Sequence, residues 1–182
     1  FVVLFGIIQF VNYADNLLRS LYAYPEHPIV SKQERAINSV AVFVPVYNEE
    51  PDIVESCVQA CMEITYPDVH IYLLDDSTDP KKRAMMHGIS CRYHLHYIHR
   101  DHRHGFKAGA INHALTLLND KTPYLLVIDA DQRVRPMILA DLIPILENHP
   151  NISFIQTPQY FRSKPKDPIS VTFSYQQHIY NK

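Results

Sequence analysis

Carboxylates placed where apolar runs end are the residues of this chain best suited to chemistry. Leu126-Val-Ile-Asp-Ala-Asp-Gln-Arg-Val134 carries an apolar run into Asp129 and Asp131, and Leu73-Leu-Asp-Asp-Ser-Thr-Asp79 carries another into Asp75 and Asp76. Alternate residues of a strand point the same way, so Asp129 and Asp131 start on one face, where two uncompensated acids repel. A hard divalent ion such as Mg2+ or Mn2+ would supply the missing charge. It takes oxygen ligands and keeps water and phosphate oxygens around it, so one or two carboxylates are enough protein input. A phosphatase would instead have the first acid of Asp-x-Asp-x-Thr phosphorylated, but Arg133 stands where that pattern wants Thr or Val. A glycosidase pair sets its acids on opposing strands rather than on one. Two solvated acids capping a strand also satisfy a lone Asp-x-Asp, so the weight of the motif rests on its neighbours.

The neighbours are positioned by an α/β pattern. From Ser39 onward short apolar runs alternate with helical periodicity, which predicts a largely parallel sheet with strands at Val40–Val46, His70–Leu74, His94–Ile98, Tyr124–Ile128 and Ile152–Ile155. Ile53, Val54, Cys57, Val58, Cys61 and Met62 repeat at helical spacing, as do Ile111, Ala114, Leu115 and Leu118. A third helix, Met137 to Asn148, must absorb Pro144, which kinks or shortens it. Ligands of such sheets gather at the carboxyl ends of the strands. There this chain places Pro45-Val-Tyr-Asn-Glu-Glu50, Asp75-Asp-Ser-Thr-Asp79, Asp129-Ala-Asp131 and Thr157-Pro-Gln159. Phe106-Lys-Ala-Gly-Ala-Ile-Asn112 opens a helix with Lys107 in its first turn, and small residues there let phosphate or sheet come close. A solvated lysine before a tightly packed helix is the plainer alternative.

Composition bounds the rest. The chain has 182 residues, 47% hydrophobic and 20% charged, which suits one packed domain. A formal net charge of −2 supplies no basic field for nucleic acid, so an anionic ligand must be met locally. Cys57, Cys61 and Cys91 are an odd number and read as reduced thiols packed as small apolar groups. His94 and His96 share a strand face, but no Cys pair or His-Glu-x-x-His accompanies them, so zinc is not expected. Glu49 and Glu50 read as first-turn helix residues, and Arg100 and Arg103 as surface charge or phosphate contacts. Phe1 to Val11 is apolar but shorter than the ~20 residues of a spanning helix. Residues 1–23 are expected to be either the end of a transmembrane or interfacial helix or a buried N-terminal helix, with 24–38 as a linker and Arg19 weakly favouring a cytoplasmic domain. The chain is expected to be a piece of a longer protein. The segment from Phe173 to Tyr180 is read as an amphipathic surface segment or a core helix.

Taken in order, Pro45-Val-Tyr-Asn-Glu-Glu50, Leu74-Asp-Asp-Ser-Thr-Asp79, Gly105-Phe-Lys-Ala-Gly-Ala-Ile-Asn112, Asp129-Ala-Asp131 and Gln156-Thr-Pro-Gln159 resemble the family-2 inverting glycosyltransferases. The Thr-Pro-Gln pattern points to the membrane-bound, cellulose-synthase-like branch. The resemblance implies a GT-A fold, here a partial domain over residues 39–182, with a mostly parallel sheet flanked by helices. It implies transfer of a hexose from a UDP-sugar to a growing β-linked polysaccharide at the inner or plasma membrane, with the catalytic domain cytoplasmic. Tyr47 would bracket the base, Asp75 or Asp76 would bond uracil or ribose, and Lys107 would neutralise the diphosphate. Asp131 would bind Mg2+ or Mn2+, with Asp129 helping to hold ribose or metal, and Thr157, Pro158 and Gln159 would lie near the acceptor glycan. The family's general base and its Gln-x-x-Arg-Trp motif are absent here and expected after Lys182; the chain has no Trp. A catalytically silent nucleotide-sugar-binding or scaffold domain and a metal-dependent phosphotransferase are the alternatives.

Overall fold

The computed structural model describes residues 10–11, 38–118 and 122–159. The expected membrane helix, linker and amphipathic tail lie outside these, apart from Phe10, Val11 and Asn38. Among the described residues no helix is long and apolar enough to cross a membrane. Lys32–Asn148 forms one compact unit, and residues 149–159 belong to a second.

Within the first unit the elements run β1 (Val40–Val46), α1 (Pro51–Met62), β2 (Val69–Asp75), α2 (Pro80–Arg92), β3 (His96–His99), α3 (Phe106–Leu117), β4 (Tyr124–Val127) and α4 (Ile138–Asn148). The strands form one sheet in the order β3-β2-β1-β4, every pairing parallel. β1 is central and almost wholly buried, which is why it reads as an unbroken apolar run. Its alternation divides the core. Val42, Val44 and Val46 pack with α1 and α2, whereas Ala41 and Phe43 pack with Ala110 and Ala114 of α3. Val40 meets Leu139 and Ile143 of α4.

Pro45 sits in this central strand without breaking it. The Ile128 amide donates to the Phe43 carbonyl, and the Asp76 amide donates to the Val46 carbonyl. Residues 43 and 45 therefore face β4 and residue 46 faces β2. The β1–β4 ladder ends at Phe43↔Val127, so the N–H that Pro45 lacks has no rung to fill. β1 outruns β4 at its carboxyl end and leaves a crevice there. The chain leaves β1 toward β2 on one side, and β4 adds on the other, so the crevice lies where the strand order reverses.

The structure differs from the sequence reading in three elements. α2 has no apolar stripe to reveal it, and is started by Asp79, whose side chain accepts from the Lys81 amide at 2.8 Å, with Pro80 next. β3 starts two residues late because His94, at φ +54°, and Leu95, whose amide bonds the Ser90 carbonyl, close the end of α2. α4 matches the expected bounds closely, running to Asn148 with Pro144 inside it. Residues Ile152–Ile155 are coil rather than strand, with Phe154 exposed.

Candidate functional site

The crevice at the carboxyl ends of β1 and β4 is a cleft of about 390 Å³ lined by Tyr47, Glu49, Asp76, Arg103, Lys107, Asp129 and Asp131, among others. Five residues expected at the site from sequence thus share one cavity: Tyr47, Asp76, Lys107, Asp129 and Asp131. They come from three loops and one helix start.

Lys107 and Asp129 form an ion pair across the cleft. The other Asp129 oxygen accepts from Gln132 Nε2 at 3.3 Å, and the Gln132 amide donates to the Asp129 carbonyl at 2.9 Å, so the turn after β4 folds back on its own acid. Asp131 is exposed, and no hydrogen bond or ion pair of its side chain occurs among the described residues. Ala130 between them is buried in the core, which points the two acids away from it. Arg133 is engaged with Ser56 Oγ on α1.

The two acids ending β2 have different environments. Asp75 is 1% exposed and is not part of the cleft lining. It accepts from the Ser77 amide at 2.8 Å and from Tyr97 Oη at 2.6 Å. His99 Nδ1 stands 3.9 Å from it and has no hydrogen-bond partner among the described residues. Burial, and then the hydrogen bond to Asp75, push the Tyr97 hydroxyl well above its ordinary range. Asp76 lines the cleft, but both its oxygens are held by the Arg100 fork, Nε at 2.8 Å and Nη2 at 2.5 Å. Arg100 also donates to the His104 carbonyl at 3.0 Å and the Phe106 carbonyl at 3.2 Å. It is a nearly buried clamp, not surface charge, and it fixes the loop that delivers Lys107. Its hydrogen bond to Asp76 raises its pKa further.

That loop turns through Gly105 (φ +73°) and Phe106 (φ +50°) into α3. Gly109 is needed for a reason other than ligand approach: a Cβ there would lie 1.9 Å from the His104 carbonyl oxygen. Asn48, at φ +54°, ties the β1 loop to the β2 loop. Its amide donates to Ser77 Oγ at 3.0 Å, and its side-chain oxygen accepts from the Thr78 and Asp79 amides at 3.1 Å. Glu50 precedes α1, accepts from the Ile53 and Val54 amides through its carbonyl, and pairs with Lys82 at 2.6 Å, while Glu49 lines the cleft.

Other residues take structural places. His96 stacks on Tyr72 at 4.4 Å, and among the described residues no group of three or more His, Cys, Asp or Glu could hold a metal ion. Cys57 and Cys61 are buried, and the Cys61 thiol is pushed up by its hydrogen bond with Cys57 and by burial; Cys91 is exposed, so only two of the three thiols pack as expected. Thr157, Pro158 and Gln159 are exposed coil in the second unit. Asn48 and Gly109 lie within the sequence motifs and Arg100 outside them, and the tasks of all three depend on contacts across loops that spacing does not reveal.

Comparison with known proteins assigns the class. Residues 41–182 match the family model of glycosyl transferase family 2, and the chain belongs to that family. It is 31% identical over 142 residues to cellulose synthase 2 of Novacetimonas hansenii, covering 77% of this chain and 8% of the relative. It is 31% identical over 148 residues to glucomannan 4-beta-mannosyltransferase 2 of Arabidopsis thaliana, covering 73% of this chain and 27% of the relative. The chain therefore spans a minor part of these relatives' length. A solved mannosyltransferase from Pyrobaculum calidifontis, in complex with GDP-Man and Mn2+, superposes with a TM-score of 0.56 at 20% identity over 89% of this chain and 45% of that one. The fold is that of the GT-A glycosyltransferases.

Proposed function

We propose that this domain binds a UDP-sugar and a divalent ion in the β1/β4 cleft, and that the longer protein transfers the hexose with inversion to a growing β-linked glycan. The observation that carries the reading is the Lys107–Asp129 pair beside Asp131, whose side chain has no partner among the described residues, at the sheet's switch point. The donor set fits Mg2+ or Mn2+. Two carboxylates alone do not fill a coordination shell, and such ions take the remainder from phosphate and water. Asp131 would hold the ion with Asp129, and bound there it would stabilise charge on the leaving diphosphate. Lys107, released from Asp129, would meet the same phosphate oxygens at the amino end of α3. Asp76, held by Arg100, would offer its outer lone pairs to ribose or base, and Tyr47 would flank the base. Asp75 would act behind it, as the buried anchor of the β2 loop. Thr157, Pro158 and Gln159 are proposed to lie near the acceptor, and the general base to follow Lys182. The apolar Phe1–Val11 supports attachment to a membrane, with the domain on its cytoplasmic side.

The relatives' names support glycan synthesis, and the bound GDP-Man and Mn2+ of the Pyrobaculum protein support a metal-assisted nucleotide sugar. The test is sugar transfer by the full-length protein, supplied with labelled UDP-glucose, UDP-N-acetylglucosamine or GDP-mannose and Mn2+. Label in an insoluble or oligomeric glycan from a UDP donor supports the proposal. Transfer from GDP-mannose alone would overturn the UDP assignment. Nucleotide binding without transfer from any donor would favour a silent binding domain.

A further inference from the structure

Arg103 lies in the loop before α3 and lines the cleft with Tyr47, Lys107 and Asp129. Its guanidinium carbon stands 3.5 Å from the centre of the Tyr47 ring and 4.9 Å from that of Phe106. Its Nε is buried and has no hydrogen-bond partner among the described residues. The neighbouring cations are already engaged: Arg100 holds Asp76 and Lys107 holds Asp129. Among the described residues no carboxylate pairs with Arg103. A planar fork held on an aromatic ring keeps its orientation at little entropic cost, and a desolvated donor without an acceptor is unfavourable until one arrives. An acceptor of the right charge and geometry is a phosphate, which Arg binds through two parallel N–H groups.

We propose that Arg103 is a donor-binding residue that bonds the diphosphate of the nucleotide, with Tyr47 as the platform that presents it. This rests on the nucleotide-sugar reading of the cleft. It assigns the cleft a second phosphate-binding cation, and it gives the Tyr47 ring a task besides flanking a base.

Binding of manganese pyrophosphate, UDP and uridine to the full-length protein, measured by calorimetry, tests it. Arg103→Ala is expected to weaken pyrophosphate and UDP by about 10- to 100-fold, the range for a charge-assisted hydrogen-bond pair, and to leave uridine unchanged. Arg103→Lys should recover part of the loss, since it keeps charge but not the fork. Tyr47→Ala should weaken pyrophosphate when Arg103 is present and not in the Arg103→Ala background. Unchanged pyrophosphate affinity, or an equal loss for uridine, would overturn the assignment. Arg103→Gln serves in place of the alanine variant if that one unfolds. If the parent binds pyrophosphate in an Arg103-dependent way but neither UDP nor GDP, the nucleotide reading fails while the role of Arg103 stands.

Discussion

Two glycines in helices provide opposite predictions from the same substitution. At Gly109, in the first turn of α3, an added Cβ would lie 1.9 Å from the His104 carbonyl oxygen and 2.9 Å from Arg100 Nη1. The oxygen would have to withdraw by more than an ångström, and it is backbone, so it cannot rotate away. Retreat also disrupts the 3.0 Å bond it accepts from Arg100. Alanine gains about 1 kcal/mol over glycine from helix propensity. Against this stand overpacking at roughly 1–3 kcal/mol and a charge-assisted hydrogen bond at roughly 1.5–3 kcal/mol. Gly109→Ala should therefore destabilise by about 2–4 kcal/mol. Gly88, inside α2, has nothing within 4 Å of the same Cβ, so Gly88→Ala should stabilise by about 0.5–1 kcal/mol. Urea midpoints at unchanged slope measure both. Midpoints that move in the same direction, or a Gly109→Ala protein as stable as the parent, would refute the packing argument.

Three further outcomes follow from the contacts. Arg100→Ala leaves Asp76 as a nearly buried, unpaired acid and should cost about 3–5 kcal/mol in urea unfolding; Arg100→Lys should cost less. Glu55, on α1, has its pKa lowered by hydrogen bonds from Tyr93 and then Arg92 on and beside α2. A lowered carboxylate contributes stability above its ordinary pKa near 4.5 that is lost as pH falls, so Glu55→Gln should show a shallower loss of stability below pH 4.5 in acid titration followed by circular dichroism. Lys107→Met should leave the urea midpoint nearly unchanged, because the ion pair is half exposed, yet weaken UDP at least ten-fold by calorimetry.

The sheet was legible because its strands are apolar runs at the spacing of a parallel α/β fold, and the buried β1 gave the clearest signal. α2 escaped because its sequence, Pro80-Lys-Lys-Arg-Ala-Met-Met-His-Gly-Ile-Ser-Cys-Arg92, buries only Met86, Ile89 and Ser90 and has no continuous stripe. Its start was nonetheless written in Asp79-Pro80. Lys107, Asp129 and Asp131 were legible as a charge problem, two acids needing a cation. What could not be read was which cation answers which acid. Arg100 takes Asp76, 24 positions away, and Lys107 takes Asp129, 22 positions away, and these pairings depend on three-dimensional register. The stack of Arg103 on Tyr47 joins residues 56 positions apart and has no local signature.

The acids after β4 are proposed to hold a divalent ion together with a nucleotide diphosphate. Calorimetry of UDP with and without Mn2+, on the parent and on Asp131→Ala, tests it most directly. Asp131 is exposed and its side chain makes no hydrogen bond or ion pair among the described residues, so its removal should leave folding intact. Mn2+ should enhance UDP binding by the parent, and Asp131→Ala should lose that enhancement. A variant that binds UDP and Mn2+ as well as the parent would contradict it.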